Sequence, residues 1–561
     1  MFPARTSPAA RYAVYATLSF FVLLAVIHIL RVSEYASQLP DIQDFAQRTQ
    51  AGLKHPISYL AQKSLTEFDA MLASQSNDLR TAIEEYRRRY HREPPPGFDL
   101  WFQYATKHGS LIIDEYDSIY DVLEPFWSVE PALLRKAVKT LMNRDTPNSN
   151  HVFGSIRFEG GEVYKNNTGW IQDGFLGLLK DVKHQLPDTE MLVSGADEPM
   201  LLRSSPDHGI DENGKIRRKK RPDLTWEDIQ RPCTFPKHSP PAAPMWRTPE
   251  VPRGLLQGLP FVTNKYNELD ICLHPEYDKM HDFGRSTGNE DFFVWDGLVP
   301  MFSQAAPSTY SDILYPTIQY WSKGQTPKYD YVSWADKKNG LFWKGSTTGG
   351  WALESNDFRH FLRHRFVEFV QGLAGPTYKL LKQSRLGYWS PSTTTELPAD
   401  KYNVHFSAII QCKPKHVCEE EQNYFEMGRY GRKNESAAYR FIMDLDGNTF
   451  ANRFYRSLSY NSVVLKQTGF KEWHDERLFP WVHYVPISLS NEELPEVMRY
   501  LSETEEGLAL SEQIAGRTRH WVARVLRKVD ASIFTYRLVL EYARLLGDDR
   551  DTAAFVLEAD V

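Results

Sequence analysis

The chain has 561 residues, with 66 Lys and Arg against 72 Asp and Glu and a net charge of −6. That balance gives no electrostatic basis for a nucleic-acid partner, and the length exceeds what one ordinary core fills, so two large units are expected. With 42% hydrophobic, 13% aromatic and 25% charged residues, the composition is globular and excludes a disordered chain.

In chain order, the first element is Tyr12–Leu30, a run of 19 residues without a formal charge, long enough to cross a bilayer core as a helix. Arg5 and Arg11 precede it and Arg31 follows, which favours a cytosolic N-terminus. A cleaved signal peptide is the rival reading, but the run is long and no small-x-small site follows it. The expected organisation is a cytosolic tail at 1–11, a signal anchor at 12–30, a stem or peripheral helix at 31–75, a first lobe at 76–330 and a second at 331–561. Four cysteines without a C-x-x-C spacing suit an oxidising lumen, with Cys233–Cys272 and Cys412–Cys418 as candidate disulfides. Asn166 and Asn434 open N-x-[ST] sequons that fit the same compartment.

Asp78–Arg92 reads as a helix with Asp78 as N-cap, stopped by the prolines at 94–96. Asp114, Glu115 and Asp117 fit one face of an amphipathic helix. Glu190–Ser194 is a short buried strand that empties into a Gly/Pro-bounded loop carrying Asp197, a carboxylate placed to face a crevice. The basic run Lys215–Arg221 reads as an exposed loop.

Leu341–Lys344 is a strand candidate followed by Gly345-Ser346-Thr347-Thr348-Gly349-Gly350. Trp351 follows, so this is not a phosphate-binding P-loop. Its small residues still allow close backbone approach, the hydroxyls donate, and Lys344 adds a point charge suited to phosphate. A helix over 357–373 buries Phe358, Phe361, Leu362, Phe366 and Phe369. Tyr439–Pro486 then reads as strand, turn, helix, strand. Asp446-Gly447-Asn448 supplies the turn, Phe450, Phe454 and Leu458 share a helix face, and Arg453 sits in its first turns. A helix starting at the carboxyl end of a strand favours an anion, and a nucleotide diphosphate is expected there. Asp444 and Asp446 match a D-x-D metal pattern, but turn chemistry accounts for Asp446-Gly447 and no metal site is assigned. No zinc-ligand cluster and no G-x-S-x-G elbow occurs. Ser490 and Glu493 suggest a capping box, and long helices over 508–546 close the chain.

Several blocks together resemble glycosyltransferase family 90, the group of fungal capsule-associated glycosyltransferases and animal protein O-glucosyltransferases. They are YRRRYHREPPPGFDLWFQYA (86–105), DEYDSIYDVLEPFW (114–127), PDTEMLVSGADEP (187–199), DICLHPEY (270–277), LFWKGSTTGG (341–350) and the 439–486 run. The first two are similar to the fungal branch in particular. The resemblance implies an α/β, GT-B-like protein of two Rossmann-like lobes behind an N-terminal transmembrane helix, acting by inverting transfer from a UDP-sugar without an obligatory metal or other cofactor. The implied acceptor is a glycan, glycolipid or glycoprotein hydroxyl, with xylose or glucose the favoured sugar, in a Golgi or endoplasmic reticulum membrane protein of type II topology. It places the proposed base on Asp197 and the diphosphate-binding Arg on Arg453. Lys344, Gly345, Ser346, Thr347, Thr348, Asp446, Gly447 and Asn448 complete the donor set. Where the animal enzymes have F-R-G-S-R, this chain has Trp343-Lys344-Gly345-Ser346-Thr347, so both arginines are replaced. Two other classes stay open: a sugar-binding scaffold that has lost catalysis, and a glycoside hydrolase pairing Asp197 with the 114–117 acids.

Overall fold

The apolar, β-branched runs assemble into two five-stranded sheets. The computed structural model describes residues 54–142, 153–166, 169–236, 240–283, 293–322, 330, 332–431 and 434–557. The expected membrane span at Tyr12–Leu30 lies outside them, and no helix among the described residues is long and apolar enough to cross a membrane.

Strands of the first half are β1 (Phe153–Glu159), β2 (Glu162–Asn166), β3 (Thr189–Ser194), β4 (Arg217–Lys220), β5 (Phe293–Asp296), β6 (Met301–Ser303) and β7 (Ile313–Leu314). Five of them form a mixed sheet in the order β2-β1-β3-β6-β7. β1 is antiparallel to β2 and β3, whereas β3, β6 and β7 run parallel. The basic run at 215–221 is therefore not a loop. Four of its residues form β4, paired antiparallel with β5, while Arg221 is buried and donates to the carbonyl of Pro199.

The second half contributes β8 (Lys338–Ser346), β9 (Tyr378–Gln383), β10 (Trp389–Thr394), β11 (Tyr402–Ala408), β12 (Tyr439–Leu445), β13 (Val463–Gln467) and β14 (Val485–Pro486). Apart from the β9–β10 hairpin, these form one sheet in the order β11-β8-β12-β13-β14, parallel throughout. Renumbered within the sheet, the order is 2-1-3-4-5, a doubly wound arrangement whose direction of growth reverses between β8 and β12. Phe441, Met443, Leu445, Val463 and Leu465 are buried with Phe366 and Val367 of the helix Leu362–Gln371 and with Val497, Leu501 and Ile514 from the helices Leu494–Glu503 and Glu505–Val525. Burial on both faces explains why these strands read as continuous apolar runs.

Two helices cross between the halves. Pro56–Ala73, in the segment expected as stem or peripheral helix, is packed: Ile57 and Leu60 join the core of the second sheet, and His55 Nε2 lies 2.8 Å from Glu496. The last helix, Lys528–Leu546, returns to the first half, where Tyr542 donates to the Glu190 carbonyl at 2.8 Å and Trp101 to Ile533 at 3.0 Å.

Local expectations hold at one more place and differ at two. Asp78 does cap its helix, Leu79–Tyr90. Ser490 and Glu493 do not form a capping box, because Glu493 accepts from Ser488 N (2.5 Å) and Oγ (2.8 Å) and the helix begins after it. Asp114 and Glu115 precede the helix Asp117–Leu123 rather than sharing a helix face; Glu115 pairs with buried Arg89 at 2.8 Å and Asp114 accepts from Ser76 N at 2.6 Å. Both candidate disulfides, Cys233–Cys272 and Cys412–Cys418, are formed. Asn166 and Asn434 are both exposed.

Candidate active site

The two sequence-predicted donor loops leave the carboxyl ends of neighbouring strands, β8 and β12, at the reversal of the second sheet. Crevices of open α/β sheets bind ligands at this position. β8 extends through Gly345 and Ser346, so the turn proper is 347–350. Gly349 has φ 97°, and a Cβ there would lie 2.8 Å from the carbonyl oxygen of Gly447. The two turns thus touch backbone to backbone, which only glycine permits. Gly349 N also donates to Asn448 Oδ1 at 3.2 Å.

Arg363, which sequence reading passed over, locks this contact. From the helix Leu362–Gln371 its Nε donates to Asp446 O at 2.7 Å and Nη2 to Leu445 O at 3.4 Å. Its Nη1 donates to Ser346 O at 3.1 Å and to the Thr348 hydroxyl. Burial, then the neighbouring Arg453, lower its pKa to about 9, against Asp446 and Asp444. Arg363 therefore remains cationic at neutral pH and brings charge to both turns.

Arg453 is the N-cap residue of Phe454–Leu458, a helix of only five residues. Such a helix has little macrodipole, so the anion attraction expected of the helix start falls to the guanidinium instead. Nη1 donates to Lys344 O at 2.7 Å, while Nη2 is buried with no hydrogen-bond partner among the described residues. Burial lowers the Arg453 pKa, and Asp444 opposes this. Both guanidinium groups flank the buried Trp343 ring, 5.7 Å away for Arg453 and 5.9 Å for Arg363. A buried N–H without an acceptor costs about 1–3 kcal/mol, a deficit that a bound oxyanion would remove.

Other members of the expected donor set are committed elsewhere. The Lys344 ammonium lies 2.8 Å from Glu435. Thr347 is buried, donating to Ile410 O at 2.6 Å and accepting from Ile410 N at 2.7 Å, so its hydroxyl pins the turn to the chain after β11. Asp446 Oδ2 accepts from Gly469 N at 2.7 Å with His281 Nε2 at 3.3 Å, while its Oδ1 is buried without a partner among the described residues. Asp444 accepts from Lys466 at 3.2 Å. No group of three or more His, Cys, Asp or Glu among the described residues could hold a metal ion. Lys466 also lies 3.6 Å from Glu472, whose carboxyl burial pushes up to about 8.

Asp197 belongs to the first sheet, three residues beyond β3 at the carboxyl end of the parallel β3–β6 pair. It is exposed, and its Oδ1 accepts from Gln319 Nε2 at 2.9 Å. The loop behind it is fixed by Asp312, which accepts from Met200 N (2.8 Å) and Leu201 N (2.9 Å) and is itself pushed up to about 6 by burial. Gln319 lies on the short turn Ile318–Trp321 after β7. Its neighbour Tyr320 stacks on Tyr455 at 3.9 Å and donates to Glu472 at 2.5 Å. Tyr455 is two residues beyond Arg453, so a short chain of contacts joins the Asp197 and Arg453 regions. The 114–117 acids are bound to Arg89, Ser76 and Tyr90 instead. Neither Arg363 nor Gln319 had a sequence signal: Arg363 is one of several basic residues in the run Arg359–Arg365, and Gln319 is one polar residue beside Ile318, Tyr320 and Trp321.

Fold and site together define an α/β protein whose two turns meet at the switch point of a parallel sheet, the position where open α/β sheets bind ligands. Residues 393–553 match the family described as Glycosyl transferase family 90. O-glucosyltransferase rumi of Drosophila melanogaster is 23% identical over 271 residues, 44% of this chain and 55% of that protein. Protein O-glucosyltransferase 1 of Homo sapiens is 23% identical over 263 residues, 44% and 58% of the two chains. The uncharacterized protein 035R of Invertebrate iridescent virus 3 is 24% identical over 228 residues, 38% of this chain and 18% of its own. This chain therefore spans a fifth or less of that viral protein and little more than half of the two O-glucosyltransferases. The resemblance to glycosyltransferase family 90 is thus shown, and the matched region contains β11 to β14 and Arg453.

Proposed function

We propose that this protein is an inverting glycosyltransferase of GT-B-like architecture that uses a UDP-sugar, UDP-xylose or UDP-glucose. In this reading residues 76–330 form the acceptor lobe and 331–561 the donor lobe. The acceptor is a hydroxyl of a glycan, glycolipid or glycoprotein in the Golgi or endoplasmic reticulum, with residues 12–30 as a type II anchor. The observation that carries the reading is the pair of turns meeting at the β8–β12 reversal, with buried Arg453 Nη2 beside them lacking an acceptor among the described residues. The names of the animal relatives, O-glucosyltransferases, support the same chemistry.

The acceptor oxygen attacks the anomeric carbon from the face opposite the diphosphate. Asp197 takes the hydroxyl proton through Oδ2, which has no hydrogen-bond partner among the described residues, as the new C–O bond forms. The bond to UDP breaks with its electron pair on the diphosphate oxygen, where Arg453 donates and Arg363 adds a fixed positive charge. Asp444 and Asp446 are engaged by Lys466 and Gly469, so charge neutralisation is assigned to the arginines. A thermal-shift series on the full chain with UDP, UDP-glucose and UDP-xylose tests the reading. UDP should raise Tm, and turnover should survive EDTA; no shift with any uridine diphosphate, or loss of turnover restored by manganese, would overturn it. The Lys344–Glu435 pair favours the competing reading of a sugar-binding protein without turnover, which predicts the Tm shift and no UDP release.

A further inference from the structure

Gln319 stands where the two sheets meet. On one side its Nε2 donates to Asp197 Oδ1 at 2.9 Å. The same amide approaches Gln304 Oε1 at 3.4 Å, and that oxygen also accepts from the Thr317 hydroxyl. Gln304 is buried and follows β6 directly, while Thr317 caps the turn by accepting from Gln319 N at 3.1 Å. On the other side Tyr320, fully buried, is held by Tyr455, by Phe450 at 5.3 Å and by its bond to Glu472. Only a donor can face a carboxylate oxygen, so the amide orientation is set by its partner.

We infer that Gln319 is a positioning residue for Asp197, and that the 317–321 turn sets the distance between the proton acceptor and the diphosphate site. This rests on the proposed transferase reading. Among the described residues Gln319 is the one hydrogen-bond partner of this exposed carboxylate, so without it the side-chain torsions are less restrained. With the bond, one oxygen is held and Oδ2 is left to accept the proton of an incoming hydroxyl. The Tyr320 stack makes that geometry follow the second sheet, so the base and Arg453 move as one unit.

The test is steady-state kinetics of the full chain with UDP-glucose or UDP-xylose, whichever turns over, reading UDP release. Gln319→Met keeps length and removes the donor. It should lower kcat about ten-fold or more while the donor KM and the affinity for UDP stay within about two-fold. Gln319→Glu, which places a second carboxylate against Asp197, should lose at least as much. In an Asp197→Asn background Gln319→Met should cost nothing further. Unchanged kcat in Gln319→Met, a parallel rise in KM, or losses that add in the double variant would overturn the inference. Wild-type turnover in Asp197→Asn alone would instead remove the base assignment on which it stands. Circular dichroism and Tm within a few degrees of wild type establish that each variant is folded.

Discussion

Replacing Arg453 separates its phosphate role from its place in the fold. Arg453→Met removes one structural bond, Nη1 to Lys344 O at 2.7 Å, and one unused donor, Nη2. The structural loss is a single buried carbonyl, about 1 kcal/mol, seen as a Tm decrease of a few degrees. The ligand loss is larger, because a charge-assisted bond to a phosphate oxygen is worth roughly 1.5–3 kcal/mol, or about 10- to 150-fold in Kd. Charge grows on the leaving diphosphate in the transition state, so kcat should fall by a further factor of about 10²–10³. Arg453→Lys keeps the charge and loses the two-pronged geometry, and should lie between. Calorimetry with UDP and with uridine distinguishes the causes: UDP should weaken while uridine, which has no phosphate, stays within about two-fold. If both weaken equally, the crevice has been deformed and Arg453 does not contact phosphate. Unchanged UDP affinity refutes the assignment outright.

Arg363→Met strips donors from the carbonyls of Leu445, Asp446 and Ser346; it should destabilise by about 3–5 kcal/mol and weaken UDP, read by urea unfolding and calorimetry. Glu493 has its pKa raised from 4.5 to about 8 by burial. The native state then binds that proton more tightly than the unfolded chain, so the stability it contributes is present below about 4.5 and lost between about 4.5 and 8. Glu493→Gln should match wild type in Tm near pH 5 and exceed it above pH 8; equal Tm profiles at both ends would contradict the burial argument. Opening Cys233–Cys272, with a sequence separation of 39, should cost about 4 kcal/mol by loop entropy. Opening Cys412–Cys418, with a separation of 6, should cost about 2 kcal/mol. Only the latter should also weaken UDP, since Gly349 N donates to Gln411 beside Cys412.

Three strands of the second sheet were legible in the sequence because they are apolar and largely buried, and two of them end in glycine-bearing turns; β11, half-exposed along its length, and the two-residue β14 were not read. Tyr439–Met443, Ser462–Leu465 and Leu341–Lys344 all stand within β12, β13 and β8 or one residue of them. Asp197 was expected in a Gly/Pro-bounded loop after a short strand, and it is exposed there, three residues beyond β3. What local pattern could not show were long-range partners. Lys344 and Thr347 have the right chemistry for phosphate, yet Glu435 and Ile410, 91 and 63 residues away, take their polar groups. Arg363 and Gln319 were missed for the converse reason: their roles come from tertiary neighbours in other strands and turns. The helix after Gly447 was expected to attract the anion through its N–H groups, but it spans only five residues.

The central claim is that Asp197 and Arg453, on separate sheets, act on one UDP-sugar. Its most direct test is the rate of UDP release from UDP-glucose and UDP-xylose in wild type and Asp197→Asn, with the affinity for UDP measured in parallel. The expected result is turnover in wild type, a loss of about 10³-fold or more in the variant, and UDP affinity within about two-fold. Variant turnover near wild type, or UDP affinity lost together with the rate, would contradict it.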